Sequence, residues 1–256
     1  MGIKLLKIIK LGGSAITDKD KPLVARIDVL ERVGEELKPA YPNAIILHGT
    51  GSFGHPFALK YKIHKGYKGE FTQRIGYGET KFWVTQLTQM ILRSMLDAEM
   101  PGFIFFPSSL GVMEEGRFIS FNFEPIEGYL KMGVVPIVPA DGPVDRKYGA
   151  LIASGDYLAY ILAEHFKPDE VIFAIDEDGL IWEGKLVEEM GLDEIKRIYE
   201  KIEEGKDATG GMKGKLKYVI KILELGIPVR LVNLLKPYRL KKLLEGENPP
   251  HTLLKP

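Results

Sequence analysis

An α/β fold built on a mostly parallel sheet follows from three features of this 256-residue chain. Apolar runs of strand length alternate with longer stretches of helical period. Two runs, Val134-Val135-Pro136-Ile137-Val138 and Val171-Ile172-Phe173-Ala174-Ile175, are apolar throughout, as strands buried on both faces are. Two others break into glycines just where a helix pattern begins, at Lys10-Leu11-Gly12-Gly13-Ser14 and at His48-Gly49-Thr50-Gly51-Ser52-Phe53-Gly54-His55. Such turns let backbone N–H groups gather round an anion, and a helix start adds partial positive charge. Two of them so close in sequence point to a site that holds two phosphate groups side by side.

In chain order, residues 3–11 alternate apolar residues with lysine and enter the first glycine turn as a strand. A periodic stretch predicts a helix over 26–38, and 44–48 is the strand leading into the second glycine turn. Segment 60–78 is polar and glycine-rich, which suggests a mobile flap beside the site. Helix 76–98 carries an apolar stripe, Phe82, Trp83, Leu87, Met90, Ile91 and Met95, mostly core by its spacing. Part of it, Phe82 and Trp83 above all, is expected to line a pocket for an apolar substrate tail. Strands follow at 102–106 and 134–138, with hairpin signals at Met113–Arg117 between them and at Trp182–Lys185 later. Helix 154–166 has Asp156 near its start, and strand 170–175 runs into Asp176-Glu177-Asp178-Gly179. Helix 193–204, then Thr209-Gly210-Gly211 opening helix 211–225, strand 228–233 and helix 237–245 complete the pattern. A change of pattern near residue 165 divides the chain into parts 1–165 and 166–256, read as two lobes on one continuous sheet.

Composition limits the function. With 35 basic and 35 acidic residues the chain has no net charge, so no nucleic-acid or membrane footprint is expected. The absence of cysteine removes disulfides, thiolate catalysis and cysteine-bound zinc. No stretch has the length of a membrane span, and the first residues lack the apolar run of a signal peptide. A cytoplasmic protein is the expectation.

Gly49, Gly51 and Gly54 formally match G-x-G-x-x-G, but no strand ending in an acid follows about 20 residues later, so a dinucleotide fold is disfavoured. A P-loop fails at Thr209 and Leu216, and the motif set of protein kinases is missing. Phosphoryl transfer remains attractive on charge alone. Its transition state spreads negative charge over equatorial oxygens, and catalysis is largely positioning and electrostatic stabilisation. Lys10, Lys19, His55 and Lys215 all fall at turns or helix starts where such charge would be met, and Asp156 is placed to hold two lysines in register. Among the other histidines, His48 ends a strand and reads as structural, His64 and His165 as surface or helix residues, and His251 as part of a proline-rich tail. Histidine metal ligation is not expected, for want of any H-E-x-x-H or comparable pair. Asp176-x-Asp178-Gly179 is read equally as a strand-end turn or as a contact with a nucleotide or its magnesium.

Five pieces of the chain, in order, resemble the amino-acid-kinase superfamily and within it the isopentenyl phosphate kinases. They are Lys10 to Lys19, His48 to Pro56, Ser154 to Asp156, Asp176 to Gly179 and Thr209 to Lys215. The resemblance implies an open αβα sandwich, ATP with Mg²⁺, and a homodimer. It implies an acceptor-binding lobe, 1–165, and a nucleotide-binding lobe, 166–256. Lys10 and Lys215 would neutralise the transferring phosphoryl group, with Asp156 organising both. Gly12, Gly13, Ser14, Lys19, Thr50, Asp176 and Gly211 would lie on the nucleotide side. Gly49, Gly51, Gly54, Gly155 and His55 would hold the acceptor phosphate, His55 as a hydrogen-bond donor. The expected reaction is phosphorylation of isopentenyl phosphate to the diphosphate. The alternatives are another small phosphate, phosphonate or carboxylate acceptor, or a nucleotide sensor that has lost catalysis. The chain departs from the family pattern at Thr50, where Gly or Ala is usual, at Tyr157, and in segments 139–142, 175–178 and 232–235.

Overall fold

The computed structural model describes residues 5–202 and 211–256. Its centre is an eight-stranded sheet of β1 (Lys7–Leu11), β2 (Ala44–His48), β3 (Gly102–Ile104), β4 (Val135–Pro139), β5 (Glu170–Ile175), β6 (Glu189–Gly191), β7 (Val229–Asn233) and β8 (His251–Lys255). The spatial order is β6-β8-β7-β5-β1-β2-β4-β3. Six strands run parallel; β8 pairs antiparallel with β7, and β6 parallel with β8. The α/β class with a mostly parallel sheet is therefore what the structure has.

Alternation along β1 sorts the two cores. Ile8 joins one, packed with α5 (Gly155–Phe166), α6 (Leu192–Lys201) and α7 (Gly211–Glu224). Ile9 and Leu11 join the other, under α2 (Ile27–Leu37), α4 (Phe71–Asp97) and α8 (Arg239–Leu244). These two cores make the three αβα layers, because successive strand residues point to opposite faces. Lys10 falls on the Ile8 face and would be an error of pattern in a purely structural strand.

The differences from the expected elements have local causes. The first strand begins at Lys7, with residues 3 and 4 of the expected span outside the described residues. β3 stops at Ile104, shortly before a turn that starts at Pro107. α4 starts at Phe71, earlier than the glycines suggested, so much of the 60–78 segment is helix. Short helices, α1 (Gly13–Ile16) and α3 (His55–Lys60), open directly off the two glycine turns. β6 and β8 were not expected. β8 is fixed by Thr252, whose hydroxyl donates to the Val187 carbonyl and accepts from the Leu180 N–H. Residues 203 and 204 of the expected helix over 193–204 lie outside the described residues, as do Thr209 and Gly210.

Helices α2 and α4 touch backbone to backbone at Gly34, whose N–H donates to Ser94 Oγ at 2.9 Å. A Cβ at Gly34 would fall on the Ser94 carbonyl oxygen, which has no room to yield. Gly34→Ala is therefore expected to destabilise by about 1–3 kcal/mol through overpacking. A urea melt checks this as a lower midpoint at unchanged slope.

Candidate active site

The site lies where the parallel strands end, the usual location of ligands in an open α/β sheet. Past β1 the ladder continues one residue further, with the Gly12 N–H donating to the Ala174 carbonyl at 2.7 Å. The turn at Gly12-Gly13 then meets the turn at Gly49–Gly54 face to face. A Cβ on Gly13 would lie 2.5 Å from the Gly51 nitrogen, and Gly51 has φ +47°. Only glycine suits both positions. Thr17 ties the turns together: its hydroxyl donates to the Gly13 carbonyl at 2.8 Å and accepts from the Ser52 N–H at 2.9 Å.

Behind the turns sits a buried charge cluster. Lys10 Nζ is 2.8 Å and Lys215 Nζ 3.5 Å from the same oxygen, Asp156 Oδ1. Asp156 is in the first turn of α5, where the helix dipole favours an anion. The Ser154 hydroxyl caps that helix by accepting from the Tyr157 N–H. Phe173, opposite Lys10 in the sheet register, lies under both cations, its ring centre 5.9 Å from Lys10 Nζ and 5.4 Å from Lys215 Nζ. Burial pushes the Lys215 ammonium down to about 8, although Asp156 pulls it back up. Burial also opposes ionisation of Asp156, but Lys10 and Lys215 outweigh it and hold the carboxyl at about 2.

A cleft of about 620 Å³ opens above the cluster. Lys10, Gly12, Gly13, Ser14, Lys19, Gly49, Thr50, Gly51, His55, Gly155, Asp156, Asp176 and Lys215 all line it. A second cavity of about 240 Å³ adjoins it and shares Thr50, His55, Ala140 and Ile152 with it. Gly54 lines this second cavity, and Gly211 opens α7, the helix that carries Lys215. Phe82 and Trp83 line neither. Phe82 is 55% exposed, and Trp83 packs on the α2–α4 core and stacks on Phe57. The pocket assignment fails at these two residues because the cavity-facing side of α4 lies at Tyr77, Thr80, Lys81 and Val84. Those positions, spaced three and four apart, share one helix face.

That face also carries the polar residues that sequence reasoning missed. Lys81 Nζ donates to Asp141 Oδ2 at 2.8 Å and to Ser108 Oγ at 3.0 Å, and lies over the Phe106 ring. A signal was available, since Thr80 and Lys81 interrupt an otherwise readable helix beside glycines. His48 is fully buried; burial lowers it to about 4, and its Nε2 meets Thr88 Oγ1 at 3.0 Å, so its role is structural. Asp178 accepts from Asn233 Nδ2 at 2.9 Å and from Arg239, which keeps it engaged away from the cleft that Asp176 lines. Among the described residues no group of three or more His, Cys, Asp or Glu is placed to hold a metal ion. Nor is any described helix long and apolar enough to cross a membrane.

Residues 6–233 match the amino acid kinase family. The chain belongs to the amino acid kinase family. Within this kinase family it is similar to the isopentenyl phosphate kinase of Methanothermobacter thermautotrophicus, 32% identical over 94% of this chain and 95% of that protein. The isopentenyl phosphate kinase of Methanocaldococcus jannaschii is 33% identical over 85% of this chain and 87% of its own length. A solved isopentenyl phosphate kinase structure superposes with a TM-score of 0.84 at 29% identity, covering 98% of this chain and 100% of that one.

The lowered pKa of the Lys215 ammonium gives an expectation for the pH dependence of a kinase reaction in this cleft. As pH rises through about 8, free Lys215 loses its proton and one of the two cations disappears, while Asp156 stays ionised. kcat/KM, which reports the free enzyme, is expected to fall above about pH 8. The fall in kcat should come later, since bound phosphates favour the protonated amine. Lys215→Arg should extend the kcat/KM plateau upward at reduced kcat, because guanidinium does not titrate in this range. A pH–rate profile of both proteins checks this.

Proposed function

We propose that this chain transfers the γ-phosphoryl group of ATP to the phosphate of isopentenyl phosphate, giving isopentenyl diphosphate and ADP. The observation that carries the reading is the junction at His55 and Thr50, where a lysine-lined cleft opens into a second cavity bordered by Ile63, Val84 and Ile152. A phosphate monoester with a short hydrocarbon tail has just that division of chemistry. Two relatives at 32% and 33% identity, each matched over more than four fifths of the chain, bear the name of this activity.

In this reading the ATP phosphates rest on the backbone amides of Gly12, Gly13 and Ser14, with Lys19 beside them and the nucleoside towards Asp176 and Gly211. The acceptor phosphate lies at Gly49, Gly51, Gly54 and Gly155, with His55 donating to it. Its second pKa is about 6, so near pH 7 the attacking oxygen is already an anion and needs no general base. What it needs is relief from anion–anion repulsion, which Lys10, Lys215 and the His55 N–H supply as the phosphoryl group passes in line between the two oxygens. A magnesium ion brought in with ATP would offset phosphate charge in the cleft, where Asp176 would be a carboxylate available to it. Lobes 1–165 and 166–256 then correspond to acceptor and nucleotide. A cytoplasmic homodimer is the working form that accompanies this reading.

The test is ATP consumption with mass-spectrometric product detection over isopentenyl phosphate, dimethylallyl phosphate, fosfomycin, glutamate and UMP. Diphosphate formed selectively from isopentenyl phosphate is expected; selective turnover of another acceptor would overturn the substrate assignment. Lys10→Ala and Lys215→Ala should each lower kcat by about a hundredfold or more. His55→Gln, still a donor, should retain more kcat/KM than His55→Ala, and equal losses would remove the donor role.

A further inference from the structure

The second cavity is not apolar all round. On the side it does not share with the large cleft, its lining includes Thr80, Lys81, Ser108 and Asp141. The Lys81–Asp141 pair is held on several sides. Asp141 is 6% exposed at its side chain and also accepts from the Ser108 N–H at 2.9 Å. Its backbone is fixed by reciprocal bonds to Ala153. The neighbouring Thr80 hydroxyl is buried with no hydrogen-bond partner, although a helical threonine can usually reach a carbonyl one turn back. A buried hydroxyl left this way carries an uncompensated desolvation cost until something pairs with it.

Such a wall treats two kinds of tail differently. Hydrocarbon pressed against the ion pair would strip water from the Lys81 ammonium, whose side chain is 36% exposed, and return nothing. A tail hydroxyl would pair with Thr80 and face the Lys81–Asp141–Ser108 group without loss. We propose that this wall sets the acceptor range of the site. Short branched phosphates that carry a tail hydroxyl are substrates alongside the isopentenyl ester, and prenyl phosphates of greater length are excluded by charge rather than by volume. The inference rests on the phosphate-acceptor reading above and adds a substrate class to it.

Three acceptors test it with the whole enzyme and Mg·ATP: isopentenyl, 3-hydroxy-3-methylbutyl and geranyl phosphate. In the wild type, kcat/KM for the hydroxylated ester is expected within about tenfold of isopentenyl phosphate, and geranyl phosphate about a hundredfold or more lower. Lys81→Met combined with Asp141→Asn removes both charges at once, so no buried ion is left unpaired. It should raise the geranyl-to-isopentenyl ratio of kcat/KM by about tenfold and lower the hydroxylated-to-isopentenyl ratio by a similar factor. Should that pair of changes prevent folding, Thr80→Val keeps the shape, removes only the hydroxyl, and should lower the hydroxylated-to-isopentenyl ratio alone. Val84→Ala enlarges the cavity without touching the charges. If it raises the geranyl ratio as much as the double variant, or if both ratios stay constant in the double variant and in Thr80→Val, the polar wall does not set the range. A wild type that ignores all three esters while consuming ATP with another acceptor overturns the phosphate-acceptor reading itself, and this inference with it.

Discussion

One carboxylate oxygen carries two ammonium groups at the heart of this molecule, and the positions of three segments follow from it. Lys10 comes from the central strand, Asp156 from the first turn of α5, and Lys215 from α7. Two ammoniums a few ångströms apart repel by on the order of 3–4 kcal/mol at an effective dielectric near 20. The shared anion offsets that repulsion and leaves one net positive charge beneath the cleft. Phe173 completes the arrangement from below, with a ring face that favours cations and admits no water to screen them. The result is a cationic floor assembled before any phosphate arrives, so little reorganisation is needed when negative charge builds up above it.

The walls of the cleft follow from a steric constraint rather than an electrostatic one. Gly13 and Gly51 bring two backbones into direct contact, and Thr17 stitches them with one hydroxyl that both donates and accepts. Each turn therefore sets the position of the other. Two anions bound on the two turns would be held at a separation fixed by backbone, not by flexible side chains. Thr50 and His55 occupy the seam where the two cavities join, so the acceptor end of the cleft depends on the same contact.

How much of this was legible in the sequence depended on whether the signal was local. The six parallel strands were readable because their apolar runs end in glycine, proline or acidic turns. The turns themselves identified Lys10 and His55 as residues of the cleft, since each belongs to a short segment where an apolar run breaks into glycines. Asp156 was readable as a helix start. What failed was the side of α4 that meets the second cavity. A stripe such as Phe82 to Met95 gives the direction of greatest burial, but a cavity at the edge of a core looks on a neighbouring direction. The packing of α4 against α2, α3, β3 and β4 sets its rotation, and that rotation turns Tyr77, Lys81 and Val84 towards the cavity. β6 and β8 failed for another reason: three residues, or five after two prolines, offer too little alternation to register. Their pairing is decided by Thr252 and by the open edge of β7, both of them tertiary facts.

The outermost strands of the sheet also bear on how molecules of this chain behave towards one another. β3 at one margin and β6 at the other are each three residues long. An unpaired strand is a template on which a second chain can add, and its hazard grows with its length and flatness. Here either margin offers little more than one repeat of free N–H and C=O groups. The broad, apolar centre of the sheet is thereby kept from extending into a neighbour. Resistance to strand-by-strand aggregation at high concentration or temperature is built into the margins, independently of the chemistry at the middle.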